Sequence, residues 1–125
     1  MQNRIISRVK CVGTDANDTE YAMNSLPDKA KILSVTIVPN VSIATHATNY
    51  ITVNIGAAGA VATRSTAATG GFLMTAGTAI VMTLVGTGTT LEMASAGLLL
   101  VEVVDTGTGP AYDFDVVILL EGIRQ

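Results

Sequence analysis

The sequence predicts an all-β protein, a single antiparallel β-sandwich of seven to nine short strands, at the spacing of a sandwich or jelly roll. Three observations carry that expectation. The first is alternation. Leu33, Val35 and Ile37, then Ile51, Val53 and Ile55, then Ile80, Met82 and Leu84, and finally Phe114, Val116, Ile118 and Leu120 stand two apart, and a period of two places each set on one face of a sheet. The second is what lies between them. Gly, Thr, Ala and Ser fill the intervals, and these residues make turns rather than helical stripes. The third is composition: 3 Tyr, 2 Phe and no Trp in 125 residues leave the core to branched aliphatics, which suit strands better than helices. A chain of this length is one domain with a core of its own.

Residues 1–28 differ from the rest and read as an N-terminal arm or added edge strand ahead of a β-sandwich domain at 29–125. Within 4–12, Ile6, Arg8 and Lys10 alternate with Ile5, Ser7, Val9 and Cys11. That pattern fits an edge strand whose Arg8 and Lys10 discourage unwanted pairing. Residues 13–19 are a turn. Residues 19–26 place Tyr21, Met23 and Ser25 on one side, as a strand or a helical turn, and Pro27 ends them. The clearest strand is 30–38, closed by Pro39 and Asn40; 41–47 is a loop or a short extra strand, and 48–55 is the next strand. Residues 56–71 look too small and permissive to hold an element. Further strands are expected at 79–85, 90–93 and 98–104, then a hairpin loop at 105–110 and a last strand at 112–121.

Charge narrows the function classes. The net charge is −3, and the seven basic residues are scattered, with no stripe of Lys and Arg interleaved with aromatics. Nucleic-acid binding is therefore not expected. Apolar runs such as 98–101 are far short of the roughly 20 residues of a membrane span, and the start lacks an apolar stretch of signal-peptide length. Cys11 stands alone, so no intrachain disulfide forms, which fits synthesis in a reducing compartment. Ala, Gly, Ser and Thr make 51 of the 125 residues, against 17 charged ones. A surface so poor in charge is expected to meet other protein rather than water, as in an oligomer.

Candidate chemistry is sparse, and no enzyme, metal or cofactor is expected. His46 is the only histidine; a jelly-roll metal site needs several, and a serine triad would need a Gly-x-Ser-x-Gly elbow that is absent. Asp15, Asn17 and Asp18 form an oxygen-rich cluster without calcium-loop spacing, and turn chemistry accounts for it. Asp113 and Asp115 point to one side of the last strand, but a glycosidase would add an aromatic-lined groove. The Gly-Thr-Gly runs at 86–88 and 107–109 precede no helix and read as turns. Cys11 reads as a small core hydrophobe.

The stretch Lys31-Ile-Leu-Ser-Val-Thr-Ile-Val-Pro39, the loop after it and Thr48-Asn-Tyr-Ile-Thr-Val-Asn-Ile55 together resemble the decoration (cement) proteins of tailed-bacteriophage capsids. The resemblance runs over residues 30 to 121, through a Gly/Ala/Thr linker, an aliphatic-Glu-aliphatic strand at 99–104 and a last hydrophobic strand. It implies a jelly-roll-like domain that assembles as a homotrimer on the capsid exterior and bridges major capsid protein subunits. Such a protein is made in the host cytoplasm, has no catalytic, cofactor or metal residues, and engages neither nucleic acid nor membrane. Arg4, Arg8 and Tyr21 are the residues expected to make capsid contacts, since a basic fork and an amphipathic ring suit a partly wet protein surface. The alternative is a phage fibre-tip or receptor- or carbohydrate-binding β-sandwich module. That alternative calls for exposed aromatics or a metal, and Tyr21, Tyr50 and Tyr112 are what the chain offers.

Overall fold

A computed structural model describes residues 4–13, 19–22, 30–56, 59–93 and 100–122. The strands are β1 (Arg4–Gly13), β2 (Thr19–Ala22), β3 (Ala30–Pro39), β4 (Tyr50–Ile55), β5 (Ala62–Ser65), β6 (Ile80–Val81), β7 (Glu92–Met93), β8 (Leu100–Thr106) and β9 (Tyr112–Gly122). Every pairing between them is antiparallel. One sheet has the order β1-β9-β3-β6, with β7 following β6 along the same edge of β3, and the other has the order β2-β8-β4-β5. The chain crosses between sheets at most steps and, β5 beside β4 excepted, returns each strand beside one made much earlier or later. That interlock is a jelly-roll sandwich, the fold class read from the sequence. The 1–28 segment supplies β1 and β2, an edge strand in each sheet.

Alternation becomes burial where the two sheets face each other. In β9, Phe114, Val116, Ile118 and Leu120 are fully buried, and opposite them stand Ile51, Val53 and Ile55 of β4 with Val101 and Val103 of β8. β1 adds Val9 and Cys11 to the same core. The Cys11 thiol is pushed up to about 12, first by burial and then by the nearby charge of Asp115; it packs as a hydrophobe and is not a reactive thiolate.

The structure corrects the sequence reading at three places. Leu33 does not share a face with Val35 and Ile37: the register of β3 against β9 shifts between Ile32 and Ser34. This β-bulge puts Ala30 and Ile32 inward on one side and Val35, Ile37 and Pro39 inward on the other, leaving Leu33 half-buried. Second, the stretch read as featureless linker contains β5. Ala62 to Ser65 is held by four register partners on β4, so pairing with an existing strand supplies what the small side chains lack. Third, the expected strand at 79–85 pairs with β3 only at Ile80 and Val81. Beyond Met82, whose N–H donates to the Val35 carbonyl at 2.9 Å, the chain swings to the turn after β4. There the Val85 and Gly86 N–H groups donate to the Val61 carbonyl at 2.8 and 3.3 Å. A 3₁₀ turn at Gly88–Leu91 then returns it to β3 as β7.

Phe114 is the largest fully buried side chain, so Phe114→Ala should cost about 3–5 kcal/mol of unfolding free energy. Ile6→Ala, at a side chain 71% exposed, should change it by no more than about 0.5 kcal/mol. Urea titration of both variants checks the contrast.

Candidate functional site: an uncharged loop-bearing end

The jelly-roll winding brings the connections that follow β3, β5 and β8 out at one end of the sandwich. Residues 40–49, 66–79 and 107–111 contain no Asp, Glu, Lys or Arg. They are joined by backbone bonds. Ile43 and Met74 exchange N–H···O bonds of 2.9 and 3.0 Å, His46 N–H donates to the Thr66 carbonyl at 3.1 Å, and Ala68 N–H donates to the His46 carbonyl at 2.9 Å. Ile43 and Met74 are buried, so this small ribbon closes the end of the core and turns Ala44 and Leu73 outward. Thr66, also fully buried, accepts the Ile51 N–H on its hydroxyl at 3.2 Å and ties the ribbon to β4.

His46 organises the loop beyond the ribbon. Its Nδ1 accepts the Asn49 N–H at 2.9 Å and the Thr48 N–H at 3.2 Å, which leaves the proton of the neutral ring on Nε2. Asn49 in turn accepts the Thr108 N–H on Oδ1 at 2.9 Å, linking the 40–49 loop to the 107–111 loop. Gly107 makes that approach possible: its φ is +66°, and a β-carbon there would run into the Thr48 carbonyl and the Asn49 side chain. Between the two loops lies a shallow groove of about 310 Å³, with no Tyr, Phe or charged side chain in its lining. The sole histidine is thus an exposed structural acceptor. Arg64, the one charged residue between Lys31 and Glu92, lies 4.8 Å from the centre of the Phe72 ring and covers it.

The charges gather instead on the outer face of the first sheet. Arg8 is paired with Asp115 at 3.0 Å and Lys10 with Asp113 at 3.4 Å. Arg4 stands across from Glu121, Glu121 from Lys31 and Lys31 from Glu92, a row of alternating sign over four strands. Asp113 and Asp115 do share one side of β9, each facing a cation of β1. The Asn40 amide, 3.0 Å away, holds the Asp113 carboxyl below its usual range against desolvation, with Lys10 adding to the effect.

Of the residues expected to contact a partner, Arg4 and Arg8 lie on the same exposed face of β1, and Arg8 is engaged by Asp115. Tyr21 is in β2, in register with Val101, and its side chain lies outside the described residues. The structure therefore does not bring the three into one described cluster. The Asp15, Asn17 and Asp18 cluster also lies outside the described residues. Among the described residues no three His, Cys, Asp or Glu side chains stand where they would hold a metal ion. No described helix is long and apolar enough to cross a membrane.

The sequence matches no protein-family model and no curated protein. Among solved structures, a chain of the cyanophage Pam1 capsid asymmetric unit is similar to it, with a TM-score of 0.53 and 20% identity. The match covers 96% of this chain and 84% of that one, so the likeness extends over the whole sandwich. At this identity it is a likeness of fold.

Two outcomes follow from this geometry. His46→Ala leaves two loop N–H groups without their acceptor, and should cost about 1 kcal/mol and speed amide exchange at Thr48 and Asn49. Asp113 has a lowered folded-state pKa, so its contribution is present above the unfolded carboxylate value and is lost as pH falls through the lowered one. Acid titration of unfolding should therefore be less steep below about pH 4 for Asp113→Asn than for the native chain.

Proposed function

We propose that this chain is a structural protein of a bacteriophage virion, a decoration or cement protein that binds the outer surface of the capsid and stabilises the expanded shell. The observation that carries the reading is the whole-length likeness of its jelly roll to a chain of a phage capsid asymmetric unit. The surface supports it. A loop-bearing end without charge and an outer face whose cations are largely held by its own carboxylates suit a protein that works by burying surface against protein. The groove between the loops offers a sugar ring no Tyr or Phe to stack on, which weighs against a carbohydrate-binding module.

In this reading the chain is a homotrimer whose partner is the major capsid protein, and its action is passive, without turnover. A ligand that prefers the intact expanded lattice lowers the free energy of that state by its differential affinity, and weak contacts repeated over a lattice add up. Arg4 is the stronger of the two basic contact candidates: it is exposed and carries no ion pair within 4.0 Å among the described residues, whereas Arg8 would first have to leave Asp115.

Particles made without the chain should assemble and expand but release their genome at a lower temperature. Adding the purified protein should restore the release temperature with or without EDTA. Identical release temperatures with and without the chain would reject the stabilising role, and failure of the purified protein to sediment with particles would reject the capsid reading.

A further inference from the structure

The two edges of the first sheet are built in opposite ways. β1 presents Arg4, Arg8 and Lys10 on its outer face, and cations on an edge strand resist pairing with other chains. The other edge is formed by β6 and the segment that continues it. Residues 80–85 keep alternating after they leave β3. Ile80, Met82 and Leu84 turn inward, while Val81, Thr83 and Val85 face out, with Val81 68% and Val85 57% exposed. Among the described residues no strand pairs with the outer side of β6. β6 itself is only two residues long, and there is no Asp, Glu, Lys, Arg or Pro from residue 65 to residue 91, so neither charge nor proline guards the segment that runs on past it.

We propose that this flank docks against a second copy of the chain. The inference rests on the self-assembly included in the function proposed above, and names the surface that carries it. Charge selects the occupant. A flank without charges would strip water from a partner's ions and offer them no counter-charge, which is unfavourable. The partner surface must therefore be uncharged as well. The chain supplies such a surface in its own loop-bearing end, where residues 40–49, 66–79 and 107–111 carry no charge. Its net charge of −3 is carried elsewhere, so copies meeting here bring no like charges together. A ring of three needs two different surfaces on each copy, and the flank and the loop-bearing end are two uncharged surfaces of one molecule.

The test combines Val81→Lys and Val85→Lys in one variant, with Ile6→Lys on the guarded edge as the control. Light scattering at micromolar concentration should give the native chain and Ile6→Lys the mass of several chains, and the double variant a mass near the 12.9 kDa of one. Circular dichroism establishes that the double variant is folded. A folded double variant that still assembles would overturn the inference and leave self-assembly standing. A native chain with the mass of one copy would overturn both, while sedimentation with particles still tests the capsid reading on its own. The buried Cys11 permits a second readout in which folding of the lysine variant plays no part. A thiol placed by Val85→Cys should be labelled several-fold more slowly in the assembled protein than after dilution to single chains. Equal labelling rates would overturn the proposal.

Discussion

The molecule depends on β9 lying between β1 and β3. That strand pairs with both neighbours along most of its length and sends Phe114, Val116, Ile118 and Leu120 into the core. Remove it and the first sheet falls into separate pieces, since β1 has no other described partner in that sheet and β3 keeps only two short stretches, β6 and β7. The second sheet would then lose the four apolar side chains that fill the middle of the core. Because β9 is buried on its inner face and paired on both edges, its register sets that of β1 and β3, and a slip of one residue would turn all four of its core side chains toward solvent.

The sequence was most legible where a strand is long and half-buried. The alternation in β4 and β9 translated directly into burial, because period two has one structural solution when one side is wet. It was least legible where tertiary pairing overrides local preference. Nothing in Ile32-Leu33-Ser34 marks a bulge, and the inserted residue reverses which members of the run face inward. Ala62-Thr63-Arg64-Ser65 has little strand character of its own and is a strand because β4 lies beside it. The candidate site was half legible. The lack of charge between Lys31 and Glu92, Arg64 excepted, is plain in the sequence. That three separate uncharged loops share one end follows only from the winding. The ion pair that holds Arg8 was equally hidden, because Asp115 is 107 residues away.

The surface is consequently divided. Charged groups stand in cross-strand rows on one outer face, with opposite signs adjacent, so that face holds water and salt without a strong net field. The loop-bearing end and the β6 flank hold hydroxyls, methyl groups and backbone. A protein divided in this way separates what keeps it dissolved from what it can bury, and contacts made through the uncharged part should respond little to ionic strength.

The separation of β1 from β9 also has a consequence in time. Arg8 meets Asp115 only after 107 further residues have been made. At about 5–20 residues per second, β1 waits for several seconds with neither its neighbour nor its half of the core. Contacts so distant in sequence form late in any case, since loop closure opposes them. During that interval β1 is an unpaired strand with Val9 and Cys11 uncovered, beside other nascent chains bearing the same strand. Arg4, Arg8 and Lys10 then repel their counterparts at the moment when Asp113 and Asp115 do not yet exist to neutralise them. Arg8 and Lys10 thus act before their ion pairs exist, keeping like strands apart until β9 arrives to cover one side of β1.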